Sequence, residues 1–272
     1  MPIKTHPVIL AFLLMWIVSW QSVNAAVIDD LYDAKIPVNN QSEQTQINAF
    51  SLALKQVLIK VRGNNDLLTD QKIKHAISRA TRFVRSYSYD KQQSQLYLVV
   101  SFDPQRVKSV IRRAGFPVWD KRRPDSLIWL AIESSDDSVR KIARPAEYAE
   151  IYQQLSIRAA QRGITLMFPV WDLDDIQNLG VYDIWGGFSA QISQASERYS
   201  VPSVLSARIY LSDNQSSEVF KNGDVAQAKP SLKWSADWTI LEGGGVLTGQ
   251  VQGDNPLMIA EGLINALADQ LS

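Results

Sequence analysis

Apolar residues in this chain switch repeatedly between helical and strand spacing, which restricts it to folds that mix both elements. Ile47, Phe50, Leu54, Val57, Leu58 and Val61 recur at helical spacing, and Gly63 ends that run. Asn40 and Glu43 have the spacing of a capping box ahead of it. Thr69 is placed to cap a second helix carrying Ile73, Ala76, Ile77 and Ala80 on one face. Arg82 to Tyr89 and Gln95 to Phe102 read as strands, with Asp90 to Ser94 as a hairpin loop. Asp103-Pro104 starts a third helix that Gly115 ends. With a short apolar stretch at Asp30 to Val38, the order β-α-α-β-β-α predicts a small α+β domain over 26–115.

Residues 116–125 contain Pro117, Pro124 and the run Lys121-Arg122-Arg123, the composition of a linker. Beyond it, Leu127 to Ile132, a helix entered at Pro145 and ended at Gly163, and Ile164 to Val170 form a β-α-β unit. A helix over Phe188 to Tyr199 and a strand over Ser203 to Leu211 follow, then the polar stretch Asp213 to Ala228. Leu232, Trp234, Ala236, Trp238 and Ile240 alternate, Gly243 to Gly245 turn the chain, and Val246 to Gln252 return as a hairpin partner. Asn255-Pro256 opens a last helix. The predicted fold is α+β in the first half, then a mixed-sheet α/β domain over 126–272 with a C-terminal β-hairpin and helix.

Residues 1–25 have the layout of a secretory signal peptide. Lys4 supplies the positive start, Val8 to Trp20 the apolar segment, and Val23 and Ala25 the small residues before a cleavage site. Cleavage after Ala25 predicts a periplasmic protein with no remaining transmembrane span. The sequence contains no cysteine, which excludes disulfides, thiolate metal sites, a cysteine nucleophile and an acylated N-terminal cysteine. Of its two histidines, His6 leaves with the signal and His75 stands among Lys72, Lys74 and Arg79. No Ser-His-Asp or Cys-His constellation can be assembled, and no cofactor is expected.

The formal charge of zero conceals a dipole. Residues 26–123 hold 17 basic and 9 acidic side chains, whereas 124–272 hold 10 and 19. Within 55–123 the balance is 16 to 5. A half this basic is steered toward an anionic envelope surface, an acidic envelope protein, or the acidic half of its own chain. Export and the absence of a nucleic-acid-binding motif argue against nucleic acid. Lys72, Lys74, Arg79, Arg82, Arg112 and Arg113 fall off the apolar helix faces and predict one positive face.

Two other groups are candidates for chemistry. Asp172, Asp174 and Asp175 follow a predicted strand, where they can cap the next turn or hold a ligand or metal ion. Trp119, Trp171 and Trp185 stand near predicted loops and can serve as aromatic contacts to a partner, and Trp119 and Trp171 can wall an interdomain cleft. The leading expectation is a non-enzymatic envelope accessory or binding protein that makes protein–protein interactions. The alternatives are a carboxylate-dependent periplasmic hydrolase and a small-ligand binder in the cleft.

The sequence resembles the bacterial envelope family called domain of unknown function 2066. The residues that carry the resemblance are Leu52-Ala53-Leu54, Val57-Leu58, Lys60-Val61-Arg62-Gly63, Val100-Ser101-Phe102-Asp103, Arg123-Pro124, Leu127-Ile128-Trp129-Leu130, Arg162-Gly163-Ile164, Asp172-Leu173-Asp174-Asp175 and the Trp185 and Trp234 regions. The second half is more distantly similar to the amino-terminal α/β domain of TolB and to related domains of envelope-assembly lipoproteins. The family has no agreed activity, so the resemblance implies an envelope setting and no catalytic residue.

Overall fold

The computed structural model describes residues 26–27, 30–119, 122–133, 139–214 and 231–272. The predicted signal peptide, Lys121 and most of the 213–228 stretch lie outside them. The fold is α+β, with a strand-rich second half that ends in a helix.

In the first half, β1 (Ala26–Val27) and β2 (Asp33–Val38) precede the long helix α1 (Glu43–Arg62). Then come α2 (Gln71–Ser78), the hairpin β3 (Val84–Gln92) and β4 (Gln95–Phe102), and α3 (Pro104–Arg113). The sheet order is β2-β4-β3, antiparallel throughout. Strand alternation sends Ala34, Ile36 and Val38 of β2 and Leu98, Val100 and Phe102 of β4 to one face. There they meet the α1 stripe Ala49, Phe50, Ala53, Leu54, Val57, Leu58 and Val61. Each such aliphatic or aromatic side chain taken from water contributes about 1.5–3 kcal/mol.

The helix starts differ in detail from the sequence reading. Ser42 caps α1 by accepting from Thr45 N, while Asn40 Oδ1 accepts from Ser42 N and Thr45 Oγ1. Asp70 rather than Thr69 caps α2, accepting from Lys72 N at 2.7 Å and Ile73 N at 3.1 Å. Thr69 belongs to a preceding 3₁₀ turn, and its hydroxyl bonds back to Asp66 O.

The short strand β5 (Arg122–Arg123) pairs antiparallel with β1, and the second half is built on β6 (Ser126–Glu133), buried from Ser126 to Ile132 because helices cover both faces. β7 (Arg140–Ile142), α4 (Ala149–Arg162), β8 (Leu166–Met167), α5 (Leu173–Asn178), α6 (Val181–Gly186) and α7 (Ser189–Ser196) follow. The chain ends with β9 (Ser203–Asn214), β10 (Ser231–Glu242), β11 (Gly245–Gly253) and α8 (Pro256–Leu271). The sheet runs β11-β10-β9-β6, with β7 and β8 both on the outer edge of β6. β6 pairs in parallel with β8 and β9, as the β-α-β reading requires for β8. α4 and α8 cover one face of the sheet, while α6 and α7 cover the other. Gly243 and Gly244, at φ 56° and 80°, make the tight β10–β11 turn that needs two left-handed residues.

The predicted strand over Ile164 to Val170 shrinks to two residues. Pro169 has no N–H for a ladder, and Trp171 turns out of extended geometry at φ 56°. Helices α5 and α6 and strand β7 were not anticipated.

Candidate functional site

The halves meet end to end at the C-termini of α1 and α4. Gly63 and Gly163 close these helices in left-handed geometry, at φ 81° and 66°. Phe116 and Val118 pack on the first core, while Trp119 packs on the second. Arg123, expected in an accessible linker, is instead fully buried. It donates to Lys60 O and Gly163 O, each at 2.5 Å, and to Arg162 O at 3.2 Å. Its guanidinium lies 4.0 Å from the Trp119 ring centroid. Arg162, also buried, donates to Gly63 O at 2.7 Å and to Asn265 Oδ1 at 3.0 Å, and it pairs with Asp269. Burial pulls the Arg162 guanidinium below the usual arginine value, and Asp269 opposes that shift. Two cations thus satisfy the orphan carbonyls of two helix C-termini. Residues 116–119 and 122–125 therefore act as a fixed joint between separate cores.

The carboxylate cluster forms a structural latch. Asp172 caps α5 through Asp175 N and takes a two-pronged pair from Arg198, at 2.6 and 2.7 Å. Asp175 is buried. It accepts from Trp171 N at 2.7 Å, Tyr199 Oη at 2.6 Å and Arg198 Nη1 at 3.0 Å. Asp174 is exposed, 3.9 Å from the same guanidinium. Hydrogen bonds from Arg198 hold the Asp172 carboxyl well below the usual carboxylate range. Burial, together with donation to Asp175, pushes Tyr199 up to about 12. Against the ligand-or-metal reading of Asp172, Asp174 and Asp175, the oxygens of Asp172 and Asp175 already hold Arg198, Tyr199 and the backbone of Trp171, and Asp174 stands exposed beside them. Among the described residues, no group of three or more His, Cys, Asp or Glu is arranged to hold a metal ion.

The three loop tryptophans part company. Trp171 is buried edge-on against Trp129, at 5.0 Å between ring centroids, so its assignment as a contact residue is corrected. Trp119 belongs to the joint, on the opposite side of the sheet, so the two rings pack in different clusters instead of facing each other across a cleft. Trp185 borders a cavity of about 590 Å³, beside Arg208 and Asp237. Arg140 and Arg208 lie over its ring, at 4.5 and 5.9 Å.

The basic residues converge. A groove of about 1230 Å³ runs between α2 and α3. Lys72, Arg79, Arg82, Arg112 and Arg113 line it, and Lys74 is exposed on α2 outside it. His75, Arg106 and Lys108 join the lining, which contains no carboxylate. The sequence reading missed Arg106, although helical spacing puts residues 106, 109 and 113 on one face of α3 beside the apolar Val110. Ala76, Phe83 and Val110 form the apolar part of the wall. Lys72 Nζ donates to Arg113 O at 2.8 Å, and Arg106 donates to Arg82 O, so each helix is tied to the opposite wall. Arg106 alone of the groove's cations has a carboxylate partner among the described residues, Asp103 at 3.6 Å. Both flanking helices pack on α1 and on each other, and among the described residues neither packs extensively on the acidic half.

The family model described as Domain of unknown function (DUF8605) matches residues 25–120, the half that contains this groove. Its end falls between the two hydrophobic cores. Among curated proteins, none matches the sequence. No helix of the described residues is long and apolar enough to cross a membrane.

Proposed function

We propose that the protein is an exported, non-enzymatic accessory or binding protein of the bacterial cell envelope, released into the periplasm by cleavage after Ala25. Its groove between α2 and α3 receives an anionic envelope partner. The observation that carries this reading is the make-up of the groove: seven lysines and arginines and no carboxylate line one concavity. Like charges gathered in this way repel one another, and an external anion relieves that cost. Among the described residues, the extensive packing of α2 and α3 is on α1 and on each other rather than on the acidic half, which favours relief by an external anion. Nucleic acid is not part of the reading, since export removes the chain from it. The kinship with domain of unknown function 2066 belongs to the same proposal and brings no activity with it. A hydrolytic role for Asp172, Asp174 and Asp175 loses support from their pairing with Arg198 and Tyr199.

Two measurements test the proposal. A tagged full-length chain is expected in osmotic-shock fluid, shortened by the signal segment; an uncut chain in the inner membrane overturns the export step. The processed chain is expected to bind isolated envelope at low salt and to elute as salt rises, with Arg79→Glu/Arg112→Glu abolishing retention. Retention that ignores both salt and this double variant overturns the groove as the binding site.

A further inference from the structure

We infer that the groove between α2 and α3 seats a single anionic phospholipid molecule, with its phosphate on the arginine rim and an acyl chain along the apolar wall. The inference rests on the reading above and names the ligand class of that same site.

The rim favours phosphate. Arg79, Arg82, Arg106, Arg112 and Arg113 outnumber Lys72 and Lys108. A guanidinium presents a planar fork that matches two phosphate oxygens, whereas an ammonium acts as a point charge. Arg106 is held by Asp103 and by Arg82 O. Among the described residues, the guanidinium groups of Arg79, Arg82, Arg112 and Arg113 make no hydrogen bond or ion pair, which leaves four forks for a ligand.

The wall favours hydrocarbon. Phe83 and Val110 are half-buried and pack against the first core from the groove side, and Ala76 of α2 joins them in the lining. A bare anion makes no use of such a surface. An acyl chain laid on it leaves water while its headgroup stays among the arginines.

The length disfavours an acidic helix. α3 has ten residues and rises about 15 Å, while an isolated helix is marginal below about 12–15 residues, or roughly 18–22 Å. The concavity also exceeds what a flat bilayer surface fills, so the occupant is one lipid drawn into it.

The test titrates the processed chain with four probes: short-chain phosphatidylglycerol below its micelle concentration, short-chain phosphatidylcholine, glycerol phosphate and an oligoglutamate peptide. Phosphatidylglycerol is expected to bind at least tenfold more tightly than each of the others. Arg79→Glu/Arg112→Glu is expected to weaken it at least tenfold, while Lys91→Glu, exposed on β3 away from the groove, leaves it unchanged; circular dichroism establishes that both variants fold. Equal binding of glycerol phosphate, or binding of oligoglutamate alone, overturns the phospholipid and leaves the basic-groove reading standing. Lipid binding that survives the double variant overturns the site. No binding to any probe, together with no retention on envelope, overturns both readings.

Discussion

The guanidinium of Arg123 occupies the space that a side chain on Gly163 would need: a Cβ built there overlaps Arg123 Nη1. The same glycine sits at φ 66° and offers its carbonyl to that guanidinium at 2.5 Å. Gly163→Ala therefore combines left-handed strain with a clash against a buried cation, and is expected to cost about 2–4 kcal/mol. Arg123→Ala strands the carbonyls of Lys60, Arg162 and Gly163 and is expected to cost about 3 kcal/mol. Urea unfolding of both variants measures this, and wild-type midpoints would show that the joint does not stabilise the fold.

Acid is expected to loosen the latch around Arg198. The Asp172 carboxyl ionises at lower pH in the folded chain than in the unfolded one, where it titrates near about 4. Its stabilising contribution is thus complete above that unfolded value and fades as pH falls below it toward the folded value. Melting temperatures recorded from about pH 6 down to about pH 2 should fall less steeply in Asp172→Asn than in the wild type. Parallel slopes would remove Asp172 from the account.

At the alkaline end the sign reverses. Tyr199 is raised to about 12 in the folded chain, against about 10 when unfolded. Its contribution is intact below about pH 10 and is lost as pH climbs through about 12. Ultraviolet titration of tyrosinate is expected to show a late-ionising tyrosine that disappears in Tyr199→Phe. An unchanged late step in that variant would assign it elsewhere, with Tyr152 the next residue to examine, since burial raises it as well.

Charge reversal in the groove should stabilise the free protein. Arg112 has no anionic partner among the described residues and faces other cations across the concavity. Arg112→Glu is expected to raise the melting temperature by about 1–2 °C at low salt, and the gain should vanish at high salt. A loss of stability instead would mean that Arg112 makes a favourable contact within the fold.

The fold was largely legible because its elements carry their own punctuation. Gly63, Asp103-Pro104, Gly163 and Asn255-Pro256 bound helices where the sequence places them. The alternation from Leu232 to Ile240 gave the β10–β11 hairpin directly. What escaped was set by partners distant in the chain. Arg123 reads as a linker cation until Lys60 O and Gly163 O are brought to it. Asp175 reads as a free carboxylate until Tyr199 and Arg198 return from the end of α7. Trp171 reads as a loop aromatic until its positive φ turns it onto Trp129. The groove was half visible: helical spacing put the cations off the apolar faces, but only the packing of α2 against α3 made them one concavity.

The joint between the halves recognises main chain. Arg123 and Arg162 reach it through the carbonyls of Lys60, Arg162, Gly163 and Gly63, atoms that every residue type supplies. It is therefore nearly indifferent to which side chain stands at Lys60, and demanding about the two arginines, about Gly163 and Gly63, and about the few side chains, Trp119, Asn265 and Asp269, that flank the guanidinium groups. Away from those few positions, each half is free to drift in sequence and to acquire new surface chemistry without renegotiating its attachment to the other.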